Sequence, residues 1–430
     1  MSFQLSPDQI NAIDGICATL LDPTSTTHAM AVLTGSAGTG KSTVISELID
    51  RVKHNGSTNI ELCATTNRAA TVLQDIVGHP VKTGYAAFKL RPSVSTFGTE
   101  VIKPAGTCEI TDGSIVVMDE SSMIGNKFLQ AIVETVKKKC LKLLFVGDPF
   151  QLPPPSDKCS IFDGSLPTFT LTTVHRQKAG SPILDKAIQY RDYIEGLTSE
   201  EPRLETILNN DGEGIHVLPH ADFVSKFVQK YVEYSPGTEV SVPLCTFTNE
   251  SAINYNSMIR KAAYFLEDTI APFYAGERLQ ANSIVKDGDR TILVNNESVL
   301  VLSFWENEVR GIPGYTVKVK GDYNRHTKTD VKSVFAPISK AAADKVLKAL
   351  QKTAIYAKNK DSWIDYYALK NLIADLRPPF AGTTHKAQGG TFPAVFIDKT
   401  NINKCRDSAT RARLMYVALT RASKNVYINA

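Results

Sequence analysis

Gly35-Ser36-Ala37-Gly38-Thr39-Gly40-Lys41-Ser42 decides the fold of this 430-residue chain, because of what stands on either side of it. The apolar run Ala29-Met30-Ala31-Val32-Leu33 leads in, and Thr43-Val44-Ile45-Ser46-Glu47-Leu48-Ile49 follows with apolar residues at helical spacing. A strand that turns through glycines into a helix aims backbone N–H groups at an anion, with the positive end of the helix dipole behind them. Gly35, Gly38 and Gly40 let the backbone wrap a phosphate, and Ser36, Ala37 and Thr39 complete the loop. Lys41 reaches the β- and γ-phosphates of a nucleotide, and the Ser42 hydroxyl is a ligand for Mg²⁺. From average composition the pattern arises by chance in about one or two chains per hundred of this length. The strand before it and the helix after it turn the string into a nucleotide site.

Two further strand ends support that reading. Ser114-Ile115-Val116-Val117-Met118 runs into Asp119-Glu120, a Walker B arrangement. Asp119 would hold Mg²⁺ and Glu120 would activate the attacking water. Leu141-Lys142-Leu143-Leu144-Phe145-Val146 runs into Gly147-Asp148-Pro149-Phe150-Gln151-Leu152-Pro153-Pro154, where Gln151 is the candidate γ-phosphate sensor. One acidic strand end is commonly a solvated loop. Three such ends in this order outweigh that explanation.

The length predicts roughly two to four structural units. No apolar run approaches transmembrane length, and the N-terminus lacks a basic segment followed by an apolar one. Seven cysteines (Cys17, Cys63, Cys108, Cys140, Cys159, Cys245, Cys405) are scattered without CxxC spacing. That predicts reduced thiols in a cytoplasmic setting. The net charge of +4 is small but uneven: Gly314–Lys360 holds eleven Lys/Arg against three Asp, and Arg377–Ala430 holds nine against two. Such basic stretches favour a phosphate backbone, against the alternative of a solvated basic face.

Alternating patterns predict an α/β fold: strands at 29–34, 59–64, 114–118 and 141–146, with helices at 41–54, 67–77 and 125–138. Between about 86 and 112 the pattern breaks into Thr, Ser, Gly and Pro, which reads as an inserted hairpin. A second α/β pattern has helices at 182–194 and 221–234 and strands at 215–218 and 242–247, and it resumes at Gly382. In the interruption, 292–302 reads as two strands around a turn, Val309 and Tyr315–Val319 as further β-structure, and 338–375 as helical.

With these residues in place, the chain resembles the superfamily 1 DNA helicases of the RecD-like branch, and within it the small Dda-type helicases of T4-like phages. Leu5-Ser6-Pro7-Asp8-Gln9 is similar to the Q motif, which implies that Gln9 reads the adenine of ATP. Ala64-Thr65-Thr66-Asn67-Arg68 resembles motif Ia, implying that Thr65, Thr66 and Asn67 touch DNA. Gly147–Pro154 resembles motif III, and Leu171-Thr172-Thr173-Val174-His175-Arg176 resembles motif IV with Arg176 as an arginine finger. Thr246-Phe247-Thr248-Asn249 resembles the opening of a second motor domain, with Thr248 and Asn249 as DNA contacts. Thr383–Gly390 resembles motif V: Thr384, His385 and Lys386 would face DNA, and Gln388 and Gly389 the nucleotide. Tyr416-Val417-Ala418-Leu419-Thr420-Arg421 resembles motif VI, with Arg421 the second finger. Arginines across a cleft stabilise charge on the γ-phosphate only when the cleft is closed. Where the family's motif Ib presents a histidine, this chain has Tyr85, which could stack on a base.

The resemblance implies two RecA-like P-loop motor domains, with a β-hairpin insertion in the first and an SH3-like β-barrel plus helices in the second. Domain 1A would be 1–85 with 113–180, the pin 1B 86–112, domain 2A 181–275 with 376–430, and 2B 276–375. Phe97 is the candidate pin tip, against plain packing. ATP and Mg²⁺ are the implied cofactors, and single-stranded and forked DNA the implied partners. A single-strand-binding protein or replisome component is a further candidate partner. The expected protein is a monomeric 5′-to-3′ motor, without membrane attachment, in the host cytoplasm if phage-encoded. An RNA helicase, a translocase that opens no duplex, a slow P-loop switch and a small-molecule kinase are the alternatives. Two arginine fingers argue against the switch, and the second α/β half against the kinase.

Overall fold

The computed structural model describes residues 5–21, 29–54, 59–94, 100–154, 157–174, 181–232, 243–263, 272–288, 290–321, 331–357 and 360–429. Helix α1 (Pro7–Leu20) precedes strand β1 (Ala29–Gly35), and α2 (Lys41–His54) starts at the lysine of the glycine loop. There follow β2 (Ile60–Ala64), α3 (Asn67–Val77), β3 (Val81–Thr83), the short α4 (Gly84–Ala87), and the pair β4 (Leu90–Val94) and β5 (Glu100–Pro104). Then come β6 (Ile115–Asp119), α5 (Asn126–Lys138), β7 (Lys142–Gly147) and β8 (Thr168–Leu171). Six of these strands form one sheet in the order β3-β2-β6-β7-β1-β8.

Their central strands are apolar on both faces, as strands covered by helices on each side must be. Ala31, Leu33, Val117, Leu144 and Val146 pack on one face with Ile45 and Leu48 of α2 and Ile13 and Ile16 of α1. Val32, Val116, Met118, Leu143 and Phe145 pack on the other with Phe128 and Ile132 of α5. The pairings of β1 with β7, β6 with β7 and β2 with β6 are parallel, so Gly35, Asp119 and Gly147 end their strands at one edge. Ligands of such sheets bind at that edge.

Local chemistry sets the helix ends. Ser6 and Gln9 form a capping box for α1, with Pro7 in its first turn. The Thr66 hydroxyl accepts from Ala69 N to open α3, and Gly78 in the left-handed region closes it. The stretch expected as an inserted hairpin contains β4 and β5, antiparallel from Leu90 opposite Pro104 to Val94 opposite Glu100. Phe97 and Arg176 lie outside the described residues.

The chain continues with α6 (Pro182–Glu195), β9 (Ile207–Leu208), β10 (Gly214–Leu218), α7 (His220–Val232), β11 (Leu244–Thr246) and α8 (Asn249–Ala263). Next are β12 (Arg278–Ala281), β13 (Val285–Asp287), β14 (Arg290–Leu293), β15 (Ser298–Val309), β16 (Ile312–Gly321), β17 (Val331–Pro337), α9 (Lys340–Ala357) and α10 (Lys360–Leu372). It closes with β18 (Leu376–Arg377), β19 (Ala381–Thr383), α11 (Thr384–Ala387), β20 (Phe392–Ile397), α12 (Lys399–Ile402), α13 (Ser408–Thr420) and β21 (Ala422–Asn429). A second six-stranded sheet has the order β19-β11-β20-β21-β10-β9, and a five-stranded antiparallel sheet the order β17-β16-β15-β12-β18.

Two compact units emerge. The first holds Met1–Val217, Thr384–Val395 and Ile402–Ile428; the second holds Leu218–Thr383, Phe396–Asn401 and Asn429–Ala430. The glycine loop, both other strand ends and the motif V and VI segments from Thr384 onward therefore share the first unit. No described helix is long and apolar enough to cross a membrane.

Candidate nucleotide site and its neighbours

Gly38 and Gly40 take φ of 88° and 84°, the left-handed region that a loop wrapped around an anion requires. At Gly40 a Cβ would come within 2.3 Å of the Gln9 amide nitrogen. That nitrogen braces the loop: fully buried Gln9 donates to Thr39 O at 3.1 Å and accepts from Ser6 N at 3.0 Å. Lys41 Nζ donates to Gly35 O at 2.7 Å and Ser36 O at 3.0 Å, which holds a positive charge over the loop. Ser42 is the second residue of α2, one position past the lysine. Its place matches a hydroxyl ligand of a phosphate-bound cation.

Asp119 ends β6 opposite Ala64, and Thr65 Oγ1 lies 3.4 Å from Glu120 O. Glu120 has φ 53° and ψ 40°, a left-handed conformation that costs a non-glycine residue about 1–3 kcal/mol. A tight turn at Ser121–Met123 follows, tied by Ser121 Oγ donating to Met118 O at 2.6 Å. Burial pushes the Asp119 carboxyl up to about 7, and the Glu120 charge beside it adds to the rise. Lys41 opposes both, more weakly. A half-buried pair of carboxylates next to a phosphate loop is a donor set that a divalent cation would satisfy. Gly147 permits the next strand end to come close. A Cβ there would meet Ser121 N and Ser122 N at 3.3 Å and the Phe162 ring at 2.9 Å.

The loop after Gly147 is held from the C-terminal segments. Asp148 is fully buried; its Oδ1 accepts from Phe150 N at 3.0 Å and its Oδ2 from Tyr416 OH at 2.7 Å. Arg413 Nη1 donates to Pro149 O at 2.5 Å and Gln151 O at 3.0 Å. Gln388 Nε2 donates to Gln151 Oε1 at 3.4 Å and Leu152 O at 3.3 Å, while Gln388 Oε1 is buried without a partner among the described residues. Gly389 turns at φ 76° against Ala69, and Arg68 lies 4.7 Å over the Phe392 ring. Buried Arg421 donates to Gly390 O at 3.2 Å and Thr420 Oγ1 at 3.3 Å, and its Nε has no partner among the described residues.

The residues expected to contact DNA are dispersed. Thr66 caps α3, Asn67 is exposed at its start, and Tyr85 stacks on Phe128 with ring centroids 4.0 Å apart. Thr384 is fully buried, whereas His385 and Lys386 are half-buried. Burial lowers the pKa of His385, which keeps the imidazole neutral. In the second unit the Thr248 hydroxyl bonds with the Asn401 amide and accepts from Ser251 N, and Asn249 opens α8.

Sequence reasoning passed over four residues that hold this site. Asp8 Oδ2 accepts from Thr172 N and Thr173 N, both at 2.9 Å, beside the Gln9 that braces the loop. Arg413, Tyr416 and Asp148 were the others. The spacing of Arg413 and Tyr416 on one helix face ahead of Arg421 was the available signal.

A parallel sheet presenting a phosphate loop, an Asp–Glu pair and a buried glutamine at neighbouring strand ends defines a P-loop nucleotide hydrolase. Comparison with known proteins narrows the class. Residues 4–212 match a family described as an AAA domain, and residues 379–429 match the UvrD-like helicase C-terminal domain. The ATP-dependent DNA helicase dda of Enterobacteria phage T4 is 25% identical over 428 residues, covering 92% of this chain and 93% of that protein. The ATP-dependent RecD2 DNA helicase of Deinococcus radiodurans is 30% identical over 185 residues, covering 43% of this chain and 23% of that longer protein. The crystal structure of Pif1 helicase from Candida albicans shares the fold, with a TM-score of 0.52 at 16% identity over 99% of this chain and 94% of that one. These matches together support a superfamily 1 helicase of the RecD-like branch, and the fold is the two-domain RecA-like one.

Proposed function

We propose that this chain is an ATP-dependent DNA helicase that moves 5′-to-3′ along single-stranded DNA and separates the duplex ahead of it. The observation that carries the reading is the Gln388–Gln151 contact, which joins the residue expected to sense the γ-phosphate to the segment that also bears His385 and Lys386. Helicase relatives along the chain support the activity, and the RecD-like branch supports the direction.

In this reading Ser42 and Asp119 would hold Mg²⁺, which would supply positive charge against that of the nucleotide phosphates. Lys41 leaves its loop carbonyls for the phosphates, and Gln9 contacts the base. Glu120 accepts the proton of the attacking water, and Gln151 orients that water. Arg421, whose Nε has no partner among the described residues, and Arg176 stabilise charge developing on the transferred phosphoryl group. Neutral His385 donates an N–H to a DNA phosphate, and Lys386 adds charge.

The domain scheme follows the same branch: motor domain 1A at 1–85 with 113–180, pin at 86–112, motor domain 2A at 181–275 with 376–430, and 2B at 276–375. The five-stranded antiparallel sheet with α9 and α10 is read as the SH3-like and helical insertion. ATP hydrolysis measured without nucleic acid, with single-stranded DNA and with single-stranded RNA tests the function. Strong stimulation by DNA supports it. Stimulation by RNA alone, or by neither, would overturn it in favour of an RNA helicase or a slow switch.

A further inference from the structure

We infer that Arg413 and Tyr416 are positioning residues through which α13 sets the place of Gln151, so that the sensor loop and Arg421 shift as one body. The inference rests on the nucleotide-hydrolase reading of the site and adds a working part to it.

The loop from Asp148 to Leu152 leaves the sheet at Gly147, so its backbone groups must find partners elsewhere. One guanidinium nitrogen of Arg413 takes up two of its carbonyls, Pro149 O and Gln151 O. The buried Asp148 carboxylate takes one bond from within the loop, at Phe150 N, and one from outside it, at Tyr416 OH. Phe150 also sets its ring edge to Tyr416, with centroids 6.3 Å apart and an interplanar angle of 81°. α13 therefore grips both ends of the loop, at Asp148 and at Gln151.

Two grips fix orientation where one would leave a pivot. Arg413 and Tyr416 are three residues apart and share one helix face. The helix ends at Thr420, and the next residue is Arg421. Because a helix of this length is stiff, a shift of Arg421 toward a phosphate carries the two grips with it. Gln151, whose backbone oxygen is held by Arg413, moves in step. Burial and the Asp148 charge raise the Tyr416 pKa, so its hydroxyl stays protonated and donating near neutral pH.

The alternative is that the same bonds only stabilise the fold. Removing the Tyr416 hydroxyl leaves a buried carboxylate short of a donor, which lowers stability in either case. The discriminating quantity is the effect on turnover and whether it passes through Gln151.

The test compares ATP hydrolysis by the full chain and by Tyr416→Phe, Arg413→Lys, Gln151→Ala and Tyr416→Phe/Gln151→Ala, each with and without single-stranded DNA. Thermal unfolding of each is recorded alongside. We expect kcat to fall about tenfold in Tyr416→Phe and in Arg413→Lys, with KM for ATP within about twofold of the parent. The double variant should be no slower than Gln151→Ala alone, because the hydroxyl acts through that glutamine. Lowered unfolding temperatures with unchanged kcat, or losses that multiply in the double variant, would overturn the positioning role. Turnover that DNA does not stimulate in the parent chain would count against the helicase reading instead, and the clamp would still be judged on basal hydrolysis.

Discussion

The Gln388 side-chain nitrogen lies 3.4 Å from Gln151 Oε1 and 3.3 Å from Leu152 O, joining segments that stand 237 residues apart in the chain. Its own carbonyl oxygen is buried and has no partner among the described residues, a state that costs free energy unless a ligand completes it. Gln388→Ala should retain ATP binding and lower kcat by about a hundredfold, the low end of what removing one placed polar group from an active site costs. Steady-state kinetics check this, and a rise in KM with unchanged kcat would contradict it.

The phosphate loop and the carboxylate pair should separate cleanly. Lys41→Ala removes the charge held over the loop by Gly35 O and Ser36 O, and hydrolysis should drop by at least about a hundredfold. Glu120→Gln keeps the size of the side chain and loses its basicity, so ATP should bind and remain intact over many parental turnovers. Nucleotide retention on a filter, followed by analysis of the bound species, distinguishes them. Bound ADP in Glu120→Gln would contradict the role of the base.

Gly147 is fixed by what surrounds it, not by its φ. An added methyl would press on Ser121 N, Ser122 N and the Phe162 ring, and two of those three neighbours are backbone atoms that cannot yield alone. Gly147→Ala should cost about 1–3 kcal/mol of stability. Denaturant unfolding of both proteins measures it, and equal midpoints would show that the strand ends can part without cost.

Asp8 carries a pH signature. Partial burial raises its pKa, but hydrogen bonds from Ser6, Thr173 and Thr172 outweigh that and hold the carboxyl well below its usual range. A depressed folded-state pKa contributes stability above the unfolded value, and that contribution is lost as pH falls toward the folded one. Asp8→Asn should therefore cost about 1 kcal/mol near neutral pH, a figure reduced by solvent screening. The difference from the parent should shrink below about pH 4. Urea unfolding at two pH values reads it, and a difference that grows in acid would contradict the assignment.

Much of the first sheet was legible because its signals are local. The helices expected at 41–54 and 67–77 are α2 and α3 with the same bounds, the second opened by Thr66 and closed by Gly78. The strand ends at Gly35, Asp119 and Gly147 announced themselves as apolar runs that stop at glycine or a carboxylate. The short strands β9, β12, β13 and β18 carried no such signal, since two to four residues show neither period nor a turn. The clamp on the sensor loop was illegible for a different reason. Tyr416 meets Asp148 across 268 residues and Arg413 meets Pro149 across 264, and the three-residue spacing that puts Arg413 and Tyr416 on one helix face does not say what they grip. Asp8 stood in plain view beside Gln9, but its partners lie 164 and 165 residues away.

ATP-driven strand displacement on two matched duplexes, one with a 5′ single-stranded tail and one with a 3′ tail, tests the central claim most directly. The account predicts displacement from the 5′-tailed duplex, none from the 3′-tailed one, and none from either with Lys41→Ala. Displacement from the 3′-tailed duplex alone would contradict the direction. No displacement from either, with hydrolysis still stimulated by DNA, would contradict duplex separation itself.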